Sequence, residues 1–168
     1  LLYSSSIPYE AFFTVTSITL LLSKRQLSTM SSKTTILLLG GTGKVASSIA
    51  QLLKQNGHPT ILASRKGTAP SGFTGCRFDW LDSTTFNAPF EKAKNIASVF
   101  LAAPGVMDVL PPMKAFIDFA RTRGINRFVL LSASVFEAGG PATGQVHQYL
   151  IDLGVEYAVL RPSWFMGM

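Results

Sequence analysis

Five short apolar runs punctuate the chain, at Thr35 to Leu39, Thr60 to Ala63, Ile96 to Ala102, Phe128 to Leu131 and Tyr157 to Leu160. They carry little polar alternation, so each reads as a strand covered on both faces. A weaker run at Cys76 to Phe78 makes a sixth. Between the runs, Val45, Ile49, Leu52 and Leu53 recur at helical spacing, as do Met113, Phe116, Ile117 and Ala120, and then Val146, Tyr149, Leu150 and Leu153. Apolar stripes at that spacing face a core. Three of these helices end at Asn56-Gly57, Arg123-Gly124 and Leu153-Gly154, each just ahead of an apolar run. Glycine there adopts the left-handed conformation that closes a helix. The alternation of strand and helix predicts an α/β fold, a doubly wound parallel sheet with right-handed crossovers.

The first predicted strand runs into the first helix through Gly40-Gly41-Thr42-Gly43-Lys44-Val45-Ala46, a G-x-x-G-x-x-A turn. Small residues let the backbone turn sharply and approach a pyrophosphate, while the N–H groups at the helix start and the helix dipole favour the anion. In this strand–turn–helix setting the motif points to a dinucleotide. It is no Walker A loop, because Gly-Lys-Ser/Thr does not follow at the required spacing. The second strand then ends in Ser64-Arg65-Lys66, where an acidic residue would bind ribose hydroxyls and repel a 2′-phosphate. A hydroxyl, a guanidinium and an ammonium predict NADP(H) in preference to NAD(H).

Composition narrows the alternatives. In 168 residues, 47% are apolar and 14% charged, enough for one domain with a substantial core and incompatible with general disorder. The single cysteine, Cys76, allows no internal disulfide, and with His58 and His147 far apart no metal site is expected. The formal charge of +6 is scattered, with no basic run after residue 30 longer than Arg65-Lys66. That pattern fits a solvated surface with a local anion site, so the expected partner is a small-molecule substrate rather than nucleic acid.

Residues 1–29 stand outside the repeating pattern. Their apolar stretch, Ala11 to Leu22, is short of the roughly 20 residues a membrane span needs. The pair Lys24-Arg25 follows that stretch instead of preceding it, and a transit peptide would carry more arginines. We therefore expect no membrane partner, a cytoplasmic protein, Met30 as the natural start, and residues 1–29 as a disordered or artefactual extension to a domain over 30–168.

With Gly-Gly-Thr-Gly-Lys-Val-Ala, Ser-Arg-Lys, Phe-Asp-Trp (Phe78 to Trp80), Phe-Val-Leu-Leu-Ser (Phe128 to Ser132), Gly-Gln-Val-His (Gly144 to His147) and Leu-Arg-Pro-Ser-Trp-Phe-Met (Leu160 to Met166) in order, the chain resembles the NmrA-like branch of atypical short-chain dehydrogenases. Within that branch it is most similar to fungal ergot-alkaloid reductases, of the festuclavine and agroclavine dehydrogenase kind, enzymes of secondary metabolism. The resemblance implies that Gly40, Gly41, Thr42, Gly43, Lys44 and Val45 hold the pyrophosphate. It assigns Ser64, Arg65 and Lys66 to the 2′-phosphate, and Asp79 and Trp80 to the flanks of the adenine. Ala102, Ala103, Pro104 and Gly105 would line the cofactor, with Ser132, Ala133 and Ser134 beside the nicotinamide. Family members continue for about a further domain, so the resemblance also implies a chain truncated after its sixth strand, with part of the substrate cover missing.

Ordinary short-chain dehydrogenases protonate an alkoxide with a tyrosine assisted by a lysine four residues later. Here the residues four after Tyr3, Tyr9, Tyr149 and Tyr157 are Ile7, Phe13, Leu153 and Arg161, so that pair is absent. The resemblance implies instead hydride delivery to an iminium carbon, which needs no acid. His147 and Ser134 are the catalytic candidates, as groups that orient substrate or nicotinamide. The competing expectations are a regulatory redox sensor that binds NADP(H) without turnover, and an inactive fragment.

Overall fold

A computed structural model describes residues 33–163. The extension over 1–29, the start at Met30 and the end of the last motif at Trp164 to Met166 lie outside the described residues. Six parallel strands form one sheet: β1 (Thr35–Leu39), β2 (Thr60–Ser64), β3 (Thr74–Arg77), β4 (Ile96–Ala102), β5 (Arg127–Leu131) and β6 (Glu156–Leu160), in the order β3-β2-β1-β4-β5-β6. The intervening helices are α1 (Lys44–Gln55), α2 (Ala88–Lys92), α3 (Leu110–Thr122) and α4 (Thr143–Asp152).

Every residue of β1 is buried, because the pleat sends alternate side chains into two cores. Ile36 and Leu38 meet Ala46, Ile49, Ala50 and Leu53 of α1 on one face. Leu37 and Leu39 belong to the core on the other face, with Met113, Phe116 and Ile117 of α3 and Val146 and Leu150 of α4. The crossovers therefore leave β1 and β4 on opposite sides of the sheet, and the crevice between the carboxyl ends of those two strands is the switch point where open α/β sheets take ligands. The predicted helix stops hold, with Gly57, Gly124 and Gly154 at φ of 70°, 84° and 63°.

Two details differ from the sequence expectation. The third strand begins at Thr74, two residues before the predicted run, because Ile61 to Ser64 of β2 pair with Thr74 to Arg77. It is an edge strand with Thr74 and Arg77 exposed, so its apolar pattern is weak. Residues 83–92 hold a one-turn 3₁₀ helix, Ser83–Thr85, and the five-residue α2, both too short to show a helical period.

Candidate functional site

The glycine turn closes the site from below. Gly40 has φ +71°, and a Cβ there would lie 3.1 Å from Cβ of Ala102, so the ends of β1 and β4 approach closely across the switch point. Gly41 donates its N–H to the Ala63 carbonyl at 2.9 Å. A Cβ on Gly41 would stand 2.8 Å from that of Leu62, which locks this residue to glycine by packing. Gly43 differs: its φ of −73° and ψ of 156° suit any residue, and an added Cβ would meet only the Gly40 carbonyl, at 3.1 Å. What its missing side chain keeps open is the space in front of α1.

Gly43 is the N-cap of α1, and the helix start has neither a capping side chain nor an acidic residue in its first turn. The N–H groups of Lys44, Val45 and Ala46 thus face outward at the positive end of a twelve-residue helix, the arrangement that receives a phosphate. Thr42 and Lys44 are exposed beside it.

At the end of β2, Ser64 is buried, and its Oγ has no hydrogen-bond partner. Its carbonyl accepts the N–H groups of Gly67 and Phe78, which fixes the bend that follows. Arg65 and Lys66 are exposed, and neither enters any of the ion pairs found among the described residues. A buried orphan hydroxyl beside two uncommitted cations fits a phosphate-bearing ribose, since a buried polar atom without a partner is costly. At the end of β3, Asp79 is half-buried and accepts the Leu81 N–H at 3.0 Å. The Trp80 indole turns into the core, edge-on to Phe78 at 5.1 Å and to Phe116 at 5.6 Å. Asp79 and the Trp80 backbone are therefore what this segment offers a ligand.

On the other side of the crevice, Ala103 and Gly105 are exposed after β4, with Ala102 and Pro104 half-buried. Past β5, the Ser132 N–H reaches the Leu160 carbonyl at 2.8 Å and the Ser134 N–H reaches that of Pro162 at 3.1 Å. Arg161 donates to the Ser134 carbonyl at 2.8 Å, so Ser134, exposed, has only its hydroxyl to spare. Ala133 lies between them, half-buried. His147 lies one turn into α4, its ring against Tyr157 of β6 at 5.6 Å, with Nδ1 buried and unpartnered. Burial, and after it the Arg161 charge, hold its pKa below the usual imidazole value. A neutral imidazole at neutral pH is a poor proton donor.

Two features escaped the sequence reading. Thr143, at the start of α4, meets Ser132 through their hydroxyls, and a lone threonine carries no signal for that. Lys114 of α3 donates to the Tyr149 hydroxyl at 3.0 Å and to Asp118 at 2.6 Å, while the Tyr149 hydroxyl donates to Asp118. This tyrosine–lysine contact is not the missing pair spaced four residues apart, because Lys114 comes from α3 and the Tyr149 hydroxyl gives its proton to Asp118. A cavity of about 360 Å³, lined by Lys54, His58, Phe73 and Lys92 among others, opens at the amino ends of β1 and β2, away from all the residues above. Among the described residues no cluster of His, Cys, Asp and Glu could hold a metal, and no helix is long and apolar enough to cross a membrane.

Residues 36–159 match the NAD dependent epimerase/dehydratase family. Festuclavine synthase II of Penicillium roqueforti is 48% identical over 138 residues, which cover 79% of this chain and 48% of the relative. Agroclavine dehydrogenase of Claviceps fusiformis is 49% identical over 136 residues, covering 79% and 47%. The chain spans about half the length of the curated relatives it matches. Among solved structures, the anaerobillin reductase ChuY of Escherichia coli O157:H7 superposes with a TM-score of 0.63 at 21% identity, over 77% of this chain and 72% of that one. UDP-glucose 4-epimerase of Thermus thermophilus, solved with NAD, gives 0.61 at 17% identity over 76% and 54%. At such identities the likeness is one of fold.

Proposed function

Because the chain belongs to the NAD dependent epimerase/dehydratase family, we propose that it binds NADPH in preference to NADH and serves a reductase acting on an iminium or related unsaturated small molecule. The observation that carries the cofactor choice is the end of β2, where the orphaned Ser64 hydroxyl sits beside uncommitted Arg65 and Lys66. Ser64, Arg65 and Lys66 would hold the 2′-phosphate. Gly40 to Val45 would hold the pyrophosphate at the open start of α1, and Asp79 with the Trp80 backbone the adenine. Ala102 to Gly105 would line the crevice, with Ser132 and Ala133 at the nicotinamide end.

When bound, the reduced cofactor supplies a hydride, which converts a cationic iminium to a neutral amine without a proton from the protein. The work left to the chain is then positioning and water exclusion. The groups at hand agree with that. The His147 pKa is held below the usual imidazole value, Ser134 offers a single hydroxyl, and the Tyr149 hydroxyl already gives its proton to Asp118. The substrate class rests on the relatives named festuclavine synthase and agroclavine dehydrogenase.

The test is loss of nicotinamide absorbance when the chain, expressed to the length of its relatives, is mixed with NADPH and a preformed cyclic iminium. The expected result is oxidation of NADPH in equal amount to the amine formed. Tight binding of NADPH without oxidation would assign the protein to regulatory sensing instead.

A further inference from the structure

The hydroxyls of Ser132 and Thr143 lie 2.8 Å apart, with each residue 7% exposed. Among the described residues this is the side-chain pair hydrogen-bonded in full burial, and it joins the carboxyl end of β5 to the first turn of α4. The chain goes to some length to make it. Ala142, immediately before Thr143, has φ 50° and ψ −122°, and among the described residues it is the non-glycine with positive φ. The Gly144 N–H closes a turn onto the Pro141 carbonyl at 2.9 Å, which puts Ala142 at the first central position of a type II′ turn, where glycine is the usual occupant. Gly144 in turn can have no side chain, because a Cβ would collide with the Glu137 carbonyl oxygen. The Gly139 N–H reaches the Gly144 carbonyl at 2.9 Å and completes the fold-back of this loop. Strain held in place by surrounding structure is a marker of a position that matters to function.

The accounting of protons shows what the pair can do. Each hydroxyl has one proton and two lone pairs, and the contact between them uses one proton of the two. Neither hydroxyl has a second partner among the described residues. The Ser132 N–H donates to the Leu160 carbonyl, which fixes the backbone at this position. The pair therefore has one O–H to spare at the carboxyl end of β5, on the half of the sheet opposite the Ser64-Arg65-Lys66 cluster.

We propose that Thr143 is a positioning residue that aims the Ser132–Thr143 hydroxyl pair at the polar carboxamide of a bound nicotinamide. This rests on the reading of the crevice as a dinucleotide site.

The experiment compares two ligands by calorimetric titration of the full chain: NADPH, and 2′-phospho-ADP-ribose, which keeps the adenosine half and lacks the nicotinamide. Thr143→Val removes the hydroxyl at nearly constant shape. It should weaken NADPH about tenfold, the upper scale of one neutral hydrogen bond, and leave 2′-phospho-ADP-ribose unchanged, while Thr143→Ser restores NADPH. If Thr143→Val does not fold, Ser132→Ala should show the same selective loss. Equal losses for both ligands, or none, would overturn the inference and leave the dinucleotide site standing. A wild-type chain that binds neither ligand would overturn the site itself, and the inference with it.

Discussion

Gly41 and Leu62 touch so closely that a single added carbon on the glycine would stand 2.8 Å from the leucine Cβ, whereas two residues on, at Gly43, the nearest atom to such a carbon is the Gly40 carbonyl oxygen, at 3.1 Å. One turn thus holds a glycine the fold requires and another that, on the proposed reading, the pyrophosphate requires. Gly41→Ala should destabilise the protein by about 1 to 3 kcal/mol, the cost of overpacking, seen as a lower thermal midpoint with or without cofactor. Gly43→Val should keep the far-ultraviolet spectrum and midpoint close to wild type and lose NADPH binding. A folded Gly43→Val protein with wild-type affinity would make the turn purely structural.

Both histidines titrate below the ordinary imidazole value of 6.5, His147 through burial and then Arg161, His58 through burial and then Lys33. A depressed folded pKa means that the unfolded chain takes up the proton first as pH falls. Stability from this source is full above 6.5, declines as the pH drops below 6.5 toward the folded values, and is level beneath them. Asp82 titrates below its usual 3.8, chiefly through the Thr84 hydroxyl, so its loss falls in a separate, more acid window. Thermal midpoints measured from about pH 8 to pH 5 should decline across that upper window. The double substitution His58→Gln, His147→Gln should flatten the decline. An unchanged slope in the double variant would contradict these environments.

Tyr149, with its hydroxyl between Lys114 and Asp118, is the one tyrosine in the described residues that meets a lysine. Its hydroxyl proton is committed to Asp118, so Tyr149→Phe should cost about 0.5 to 1.5 kcal/mol of stability for the lost hydrogen bonds and leave kcat for iminium reduction unchanged. A hundredfold fall in kcat would reinstate a tyrosine acid. The substrate class would then move from iminium ions to carbonyl compounds.

The sheet was legible because β1 and β4 are buried on both faces and advertise themselves as unbroken apolar runs, and because Gly57, Gly124 and Gly154 mark the ends of three helices. The edge strand β3 was misplaced by two residues because pairing with β2, not burial, sets its limits. At the site, the glycine turn and Ser64-Arg65-Lys66 are local motifs, and the geometry brings them to the same end of the sheet. Trp80 shows the reverse: the family resemblance assigns it with Asp79 to the flanks of the adenine, and the positions of Phe78 and Phe116 show that its ring packs in the core. Thr143 and Lys114 were invisible because their partners, Ser132 and Tyr149, lie 11 and 35 residues away and are reached through the fold alone.

The central claim, that the end of β2 selects a 2′-phosphate, is tested most directly by the dissociation constants of NADPH and NADH for the wild-type chain and for Arg65→Ala. The account predicts that wild type prefers NADPH. Arg65→Ala should weaken NADPH by about 1.5 to 3 kcal/mol, the scale of a hydrogen bond to a charged group, and barely change NADH. Equal affinity of the wild type for the two cofactors, or equal losses in the variant, would contradict it.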